Sequence, residues 1–197
     1  MDTTHKIIVA EFTTLDGVIE DPDGTWGAAC GGWAMRQGPQ VFAGDKFHLG
    51  PIMDDGALLF GRGTWQAFAQ RWPLRTGAFA DAMNAARKYV ASTTLADTSA
   101  WANSVVLDGD LPDAIQRARQ DQDIALIGSP GLAHQLAAAG LVDEYRLLVL
   151  PTVVGTGVRL FADEQEADLR LISSDVVDSG VLLRYDVVRG ASPAPGR

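Results

Sequence analysis

Twice in this chain an apolar run ends in glycine and passes at once into a helical pattern, in LLFGRGTWQAF at 58–68 and IALIGSPGLAHQL at 124–136. A strand that hands over to a helix must return to the same sheet edge, and the helix is what carries it back, so such junctions favour a parallel sheet covered on both faces. The surrounding pattern agrees. KIIVAEFTT reads as a buried first strand over residues 6–13 that stops at the turn signal LDG, and KYVAST and SVVL read as two more strands. Trp65, Phe68, Ala69 and Trp72 fall at i, i+3, i+4 and i+7, one face of a short helix stopped by Pro73. Asp110 is placed to cap a helix through about Gln120, with Pro112 in its first turn, and PGLAHQLAAAG is a helix closed by Gly140.

The last third changes character. EYRLLVLP, VRLF, LRLISSDVV and VLLRYDVV read as strands with few helices between them, the last two joined across DSG as a hairpin. Residues 18–38 are glycine-rich without sustained period, which predicts an ordered functional loop, and residues 39–50 are weakly helical. No composition break divides the chain, so residues 1–190 are expected to form one α/β domain, with 191–197 a disordered tail.

Composition narrows the chemistry. A chain of 197 residues can bury roughly 70% of its unfolded surface, enough for a complete core. A net charge of −9 argues against a nucleic-acid partner, so an anionic ligand would need a local pocket. No run is long and apolar enough to cross a membrane, and the N-terminus lacks a secretory pattern, which predicts a cytoplasmic protein. One cysteine, Cys30, and three scattered histidines, His5, His48 and His134, offer no metal-ligand spacing.

The two glycine junctions are where ligand chemistry is expected, because α/β sheets bind ligands at the carboxyl ends of their strands. Gly61 and Gly63 permit close backbone approach, Thr64 offers a hydroxyl, Arg62 a charge, and the helix that follows turns its positive end towards an anion. Gly128, Ser129 and Gly131 repeat the arrangement, with Pro130 suited to the first helical turn. Neither stretch is a GxGxxG fingerprint or a phosphate-binding GxxxxGK[ST] loop.

Taken in order, TLDGVI, LLFGRGTWQAF, KYVAST, LIGSPGLAHQL and AGLVDEYRLLVLPTVVGTGVRLF resemble the dihydrofolate reductase superfamily, most closely the reductase domain of the bifunctional riboflavin-biosynthesis enzyme and its stand-alone relatives. The resemblance implies a three-layer sandwich, its central sheet mostly parallel and finished by an antiparallel hairpin, that binds NADPH. It implies a homodimer acting on a planar heterocycle or related carbonyl or imine compound, as 5-amino-6-(5-phosphoribosylamino)uracil reductase does. By matching position, Gly61, Arg62 and Thr64 would follow the cofactor phosphates, Ser92 and Thr93 would help hold the 2′-phosphate, and Gly128, Ser129, Gly131 and Leu132 would clasp the diphosphate from the other side. Leu15, Asp16, Gly17 and Val18 would lie beside the nicotinamide.

The chain departs from that pattern at Ile127, where riboflavin-pathway reductases carry glutamate. The deaminase half of the bifunctional enzyme needs a His/Cys/Cys zinc site, which one cysteine cannot supply. Asp16 is the candidate catalytic acid or substrate contact, against an ordinary Asx turn. Trp33, with Trp26, could stack on a planar substrate, and Asp45 is the carboxylate available to grip one. Arg159 suits a substrate anion or a subunit contact, and His48 and His134 fall in helical stretches with packing roles. The competing functions are a non-catalytic NADP(H)-binding or regulatory protein, and a dimerisation scaffold built on the apolar stretch RLLVLPTVVG.

Overall fold

The computed structural model describes residues 5–163 and 165–189. Eight strands form one sheet: β1 Ile7–Thr14, β2 Ala57–Gly61, β3 Arg87–Ala91, β4 Ser104–Val106, β5 Ile124–Ile127, β6 Glu144–Leu150, β7 Leu169–Val177 and β8 Gly180–Val187, in the order β4-β3-β2-β5-β1-β6-β8-β7. The first six in that order run parallel, and β8 and β7 add the expected antiparallel hairpin. Helices α1 Gly50–Asp55, α2 Arg62–Ala69 and α3 Ala78–Ala85 cover one face, and α4 Leu111–Ala118 and α5 Pro130–Ala138 the other. Strand residues alternate between two cores: Leu58 and Phe60 point to Trp65, Met83 and Trp101, whereas Ala57 and Leu59 point to Ile115, Leu132 and Leu136.

Several local expectations shift. The helix over Trp65 ends at Ala69, and Trp72 reaches the same core from a separate 3₁₀ turn, Trp72–Leu74. Residues 39–50 contain only the 3₁₀ turn Pro39–Phe42 before α1, and His48 is not helical but takes a left-handed φ of 54°. Asp110 stands at the N-terminus of α4 without a side-chain capping bond. VRLF is not a strand: its contribution is one antiparallel bridge, Val18 to Arg159. The first half of the apolar stretch RLLVLPTVVG is β6, which lies inside the sheet between β1 and β8, whereas Val153 beyond it is exposed. The tail 191–197 lies outside the described residues.

Candidate active site

Sheet order makes the site. β5 returns to lie between β1 and β2, in register Leu59 to Leu126, which brings Gly61 and Gly128 level at the carboxyl edge although 67 positions of sequence separate them. The two junctions are bonded together. Ser129 Oγ accepts the Gly61 N–H at 2.9 Å and donates to Thr64 Oγ1 at 2.7 Å. Gly128 and Ser129 both take left-handed backbone, φ 64° and 66°, and a Cβ on Gly128 would stand 3.0 Å from Thr64 Cγ2. Only glycine fits there without moving Thr64.

Neither α2 nor α5 has a side-chain cap at its start, and the opening N–H groups of a helix have no partner inside it. Two positive helix ends therefore open on one edge, with the Thr64 hydroxyl between them. Leu132 contributes less than its position suggests: its side chain is in the core and its N–H is taken by the Ser129 carbonyl at 2.9 Å, which leaves Gly131 as the donor at that end. Arg62 lies exposed beside this edge and donates to Thr94 Oγ1 at 2.9 Å. Ser92 organises this neighbouring loop by accepting the N–H groups of Thr94 and Leu95 at 3.2 and 3.0 Å, with Thr93 exposed next to it. Thr94 was not distinguished by sequence, because its pairing with Arg62 joins loops from different strands.

The turn after β1 is tied to the segment after β6. Leu15 N–H bonds the Thr152 carbonyl, the Gly17 carbonyl accepts from Leu160 N–H, and Val18, fully buried, bridges to Arg159. Arg159 Nε donates to the Asp16 carbonyl, and its own carbonyl is paired with the ring of His134 on α5 at 2.8 Å. Asp16 accepts from Thr14 Oγ1 at 2.6 Å and from Gly155 N–H at 2.7 Å. The Thr14 hydroxyl first, and the Gly155 amide after it, hold its carboxyl below the usual range. Asp16 thus engages both carboxylate oxygens in fixing the loop.

Two substrate candidates already have partners within the chain. Trp33 has no exposed surface and donates from Nε1 to the Glu20 carbonyl, so neither ring face is open to stack on a ligand. Asp45 accepts from the N–H groups of Leu49 and Gly50, both at 2.7 Å, and so closes the turn leading into α1.

Glu11, unremarked in the sequence, is buried on β1, and its Oε1 has no hydrogen-bond partner among the described residues. Burial pushes its carboxyl well above the usual range. The raised folded value means that its stability contribution is complete below the unfolded pKa, about 4.3, and is lost as pH rises through the folded one. Glu11→Gln is expected to match the parent near pH 4 and to exceed it by about 1–3 kcal/mol in urea unfolding at pH 8. Equal stability at pH 8 would mean that the carboxylate has a partner in solution.

The donor set, two uncapped helix ends, a hydroxyl and one guanidinium around glycines that keep side chains out, fits a dinucleotide diphosphate with an additional phosphate beside it. The comparisons point the same way on fold. The chain is 25% identical over 186 residues to the uncharacterized protein YyaP of Bacillus subtilis strain 168, covering 90% of this chain and 92% of that one. Its fold matches a candidate riboflavin biosynthesis protein from Shewanella sp. PV-4 with a TM-score of 0.69 at 23% identity, over 93% of this chain and 99% of that one. It also matches dihydrofolate reductase from Enterococcus faecalis, solved with NADP(H), with a TM-score of 0.57 at 12% identity, over 93% and 97%. Dihydrofolate reductase thus shares the fold, and because the profile of the RibD C-terminal domain matches residues 5–183, the chain belongs to the RibD C-terminal domain family.

Proposed function

We propose that the protein is an NADPH-dependent reductase of a small planar heterocycle or a related carbonyl or imine compound. The observation that carries this reading is the bonded meeting of the two glycine junctions, Gly61 to Ser129 to Thr64, which builds one anion-binding edge from distant parts of the chain. NADPH would supply the hydride, and the protein's part would be to bind, orient and shield it. Gly63, Thr64 and Gly131 would donate to the diphosphate; Arg62, with Ser92, Thr93 and Thr94, would meet the 2′-phosphate. The Leu15–Val18 turn, fixed by Asp16, would border the nicotinamide. Homodimerisation and a cytoplasmic setting belong to the same reading.

Charge-assisted bonds of about 1.5–3 kcal/mol to a 2′-phosphate predict a preference for NADPH over NADH of roughly ten- to a hundred-fold. Arg62→Ala should erase most of that preference in a calorimetric titration. An unchanged ratio would place the phosphate elsewhere.

Ile127 supports a second reading. It packs against the core where riboflavin-pathway reductases carry glutamate, and Asp16 offers no free carboxyl, so a non-catalytic NADP(H)-binding protein would keep the same groove. Oxidation of NADPH with pterins, aminouracils or quinones, followed by cofactor absorbance, separates the two. Turnover of any of them supports the reductase; none with any, despite tight binding, supports the binder.

A further inference from the structure

Four of the five tryptophans are core residues: Trp33, Trp65, Trp72 and Trp101 are 8% exposed or less. Trp26 is 58% exposed. Its indole nevertheless has a defined place, because Cη2 lies 3.5 Å from where a Cβ on Gly63 would be, against the first turn of α2.

The loop that carries it is built for rigidity. Asp21, buried and left-handed at φ 49°, accepts the N–H of Trp26 at 2.9 Å and of Ala28 at 3.0 Å through its carboxylate, and those of Gly24 and Gly32 through its carbonyl. Gly31 passes so near that a Cβ would stand 2.4 Å from Asp21 Oδ2. Asp23 binds the N–H and hydroxyl of Thr25 and forms an ion pair at 2.8 Å with Arg71, just beyond α2. A buried carboxylate and a left-handed non-glycine residue are costly features for a surface loop. Here they fix a large apolar side chain in water beside the helix end where the proposed cofactor binds. Held against the first turn of α2, the indole is placed for a ligand at that helix end to cover its remaining surface.

We propose that Trp26 is the outer wall of the cofactor groove and contacts the sugar–phosphate portion of the cofactor common to NADPH and NADH. This inference rests on the reductase-fold cofactor reading and adds a residue to it. It differs from Arg62 in kind: the indole carries no charge to recognise the 2′-phosphate, so it contributes to both cofactors alike.

The test joins calorimetry with acrylamide quenching of tryptophan emission, using NADP⁺ as the contact probe. The acrylamide-accessible emission of the parent protein should come from Trp26, be absent in Trp26→Phe, and fall when NADP⁺ saturates. Trp26→Ala should weaken NADPH and NADH by similar factors, roughly ten-fold, leaving their ratio unchanged. Calorimetric binding of NADP⁺ to the parent, with Trp26 as accessible as before and the alanine variant within about two-fold of it, overturns the inference while the groove reading stands. No calorimetric binding to the parent removes both.

Discussion

Replacing Gly128 by valine is expected to lower NADPH affinity by at least about a hundred-fold, because it breaks the meeting of the two junctions in two ways. The residue sits at φ 64°, a conformation in which a β-branched side chain is strained by about 1–3 kcal/mol. Its Cβ would also stand 3.0 Å from Thr64 Cγ2, and relief of that contact moves Thr64 or the turn, opening the Ser129 bridge between β2 and β5. The matched control is Gly131→Ala. A Cβ there meets nothing within 4 Å, so affinity should stay within a few-fold of the parent. Calorimetric titration of both variants checks the pair; equal losses would show that general loop damage, not the Gly128 geometry, governs binding.

Glu144→Ala is expected to destabilise the protein by about 3–5 kcal/mol in urea unfolding. Glu144, nearly fully buried at the start of β6, accepts from Lys6 Nζ at 3.0 Å, Arg146 Nε at 2.8 Å and Arg184 Nη2 at 2.8 Å. Arg146, itself buried, reaches on to the carbonyls of Phe47 and His48, so the cluster ties the segment before α1 to the sheet. Burial alone would raise the Glu144 carboxyl, but the bonds from Arg184, Arg146 and Lys6 outweigh it and hold it below the usual range. A folded value below the unfolded one gives stability that is present above the unfolded pKa and lost as pH falls through the folded one. The alanine variant should therefore lose most at neutral pH and converge on the parent in acid. Because β6 begins at the end of the sheet away from the Gly61–Gly128 edge, the residual folded protein should bind NADPH normally. A destabilisation below about 1 kcal/mol at pH 7 would mean that the charges are solvated in solution.

The outcome at each element shows what a sequence of this kind exposes. β2 with α2 and β5 with α5 were legible because a run of apolar residues, a glycine and a helical period are all local signals. α3 was missed: AFADAMNA has many alanines and only Ala80 and Met83 buried, too weak a stripe to stand out. VRLF looked like a strand by composition, yet its backbone bonds go to the turn after β1, a choice made by tertiary placement. The same distinction runs through the site. Glycine positions at the two junctions were readable, since a positive φ or a close approach requires that residue. Whether an aspartate or tryptophan faces a ligand or its own backbone was not, and Asp16, Asp45 and Trp33 each turned inward to satisfy nearby donors or acceptors. Trp26 and Trp33, seven positions apart in one loop, divide into wall and core because Asp21 holds the backbone of one while Glu20 accepts the indole N–H of the other.

A crystal structure of the protein grown with NADPH tests the central claim most directly. The diphosphate should lie between the first turns of α2 and α5, within hydrogen-bond distance of the Thr64 hydroxyl and the Gly63 and Gly131 N–H groups, with the 2′-phosphate at Arg62. A cofactor bound on another face of the sheet, with Gly61 and Gly128 untouched, would contradict it.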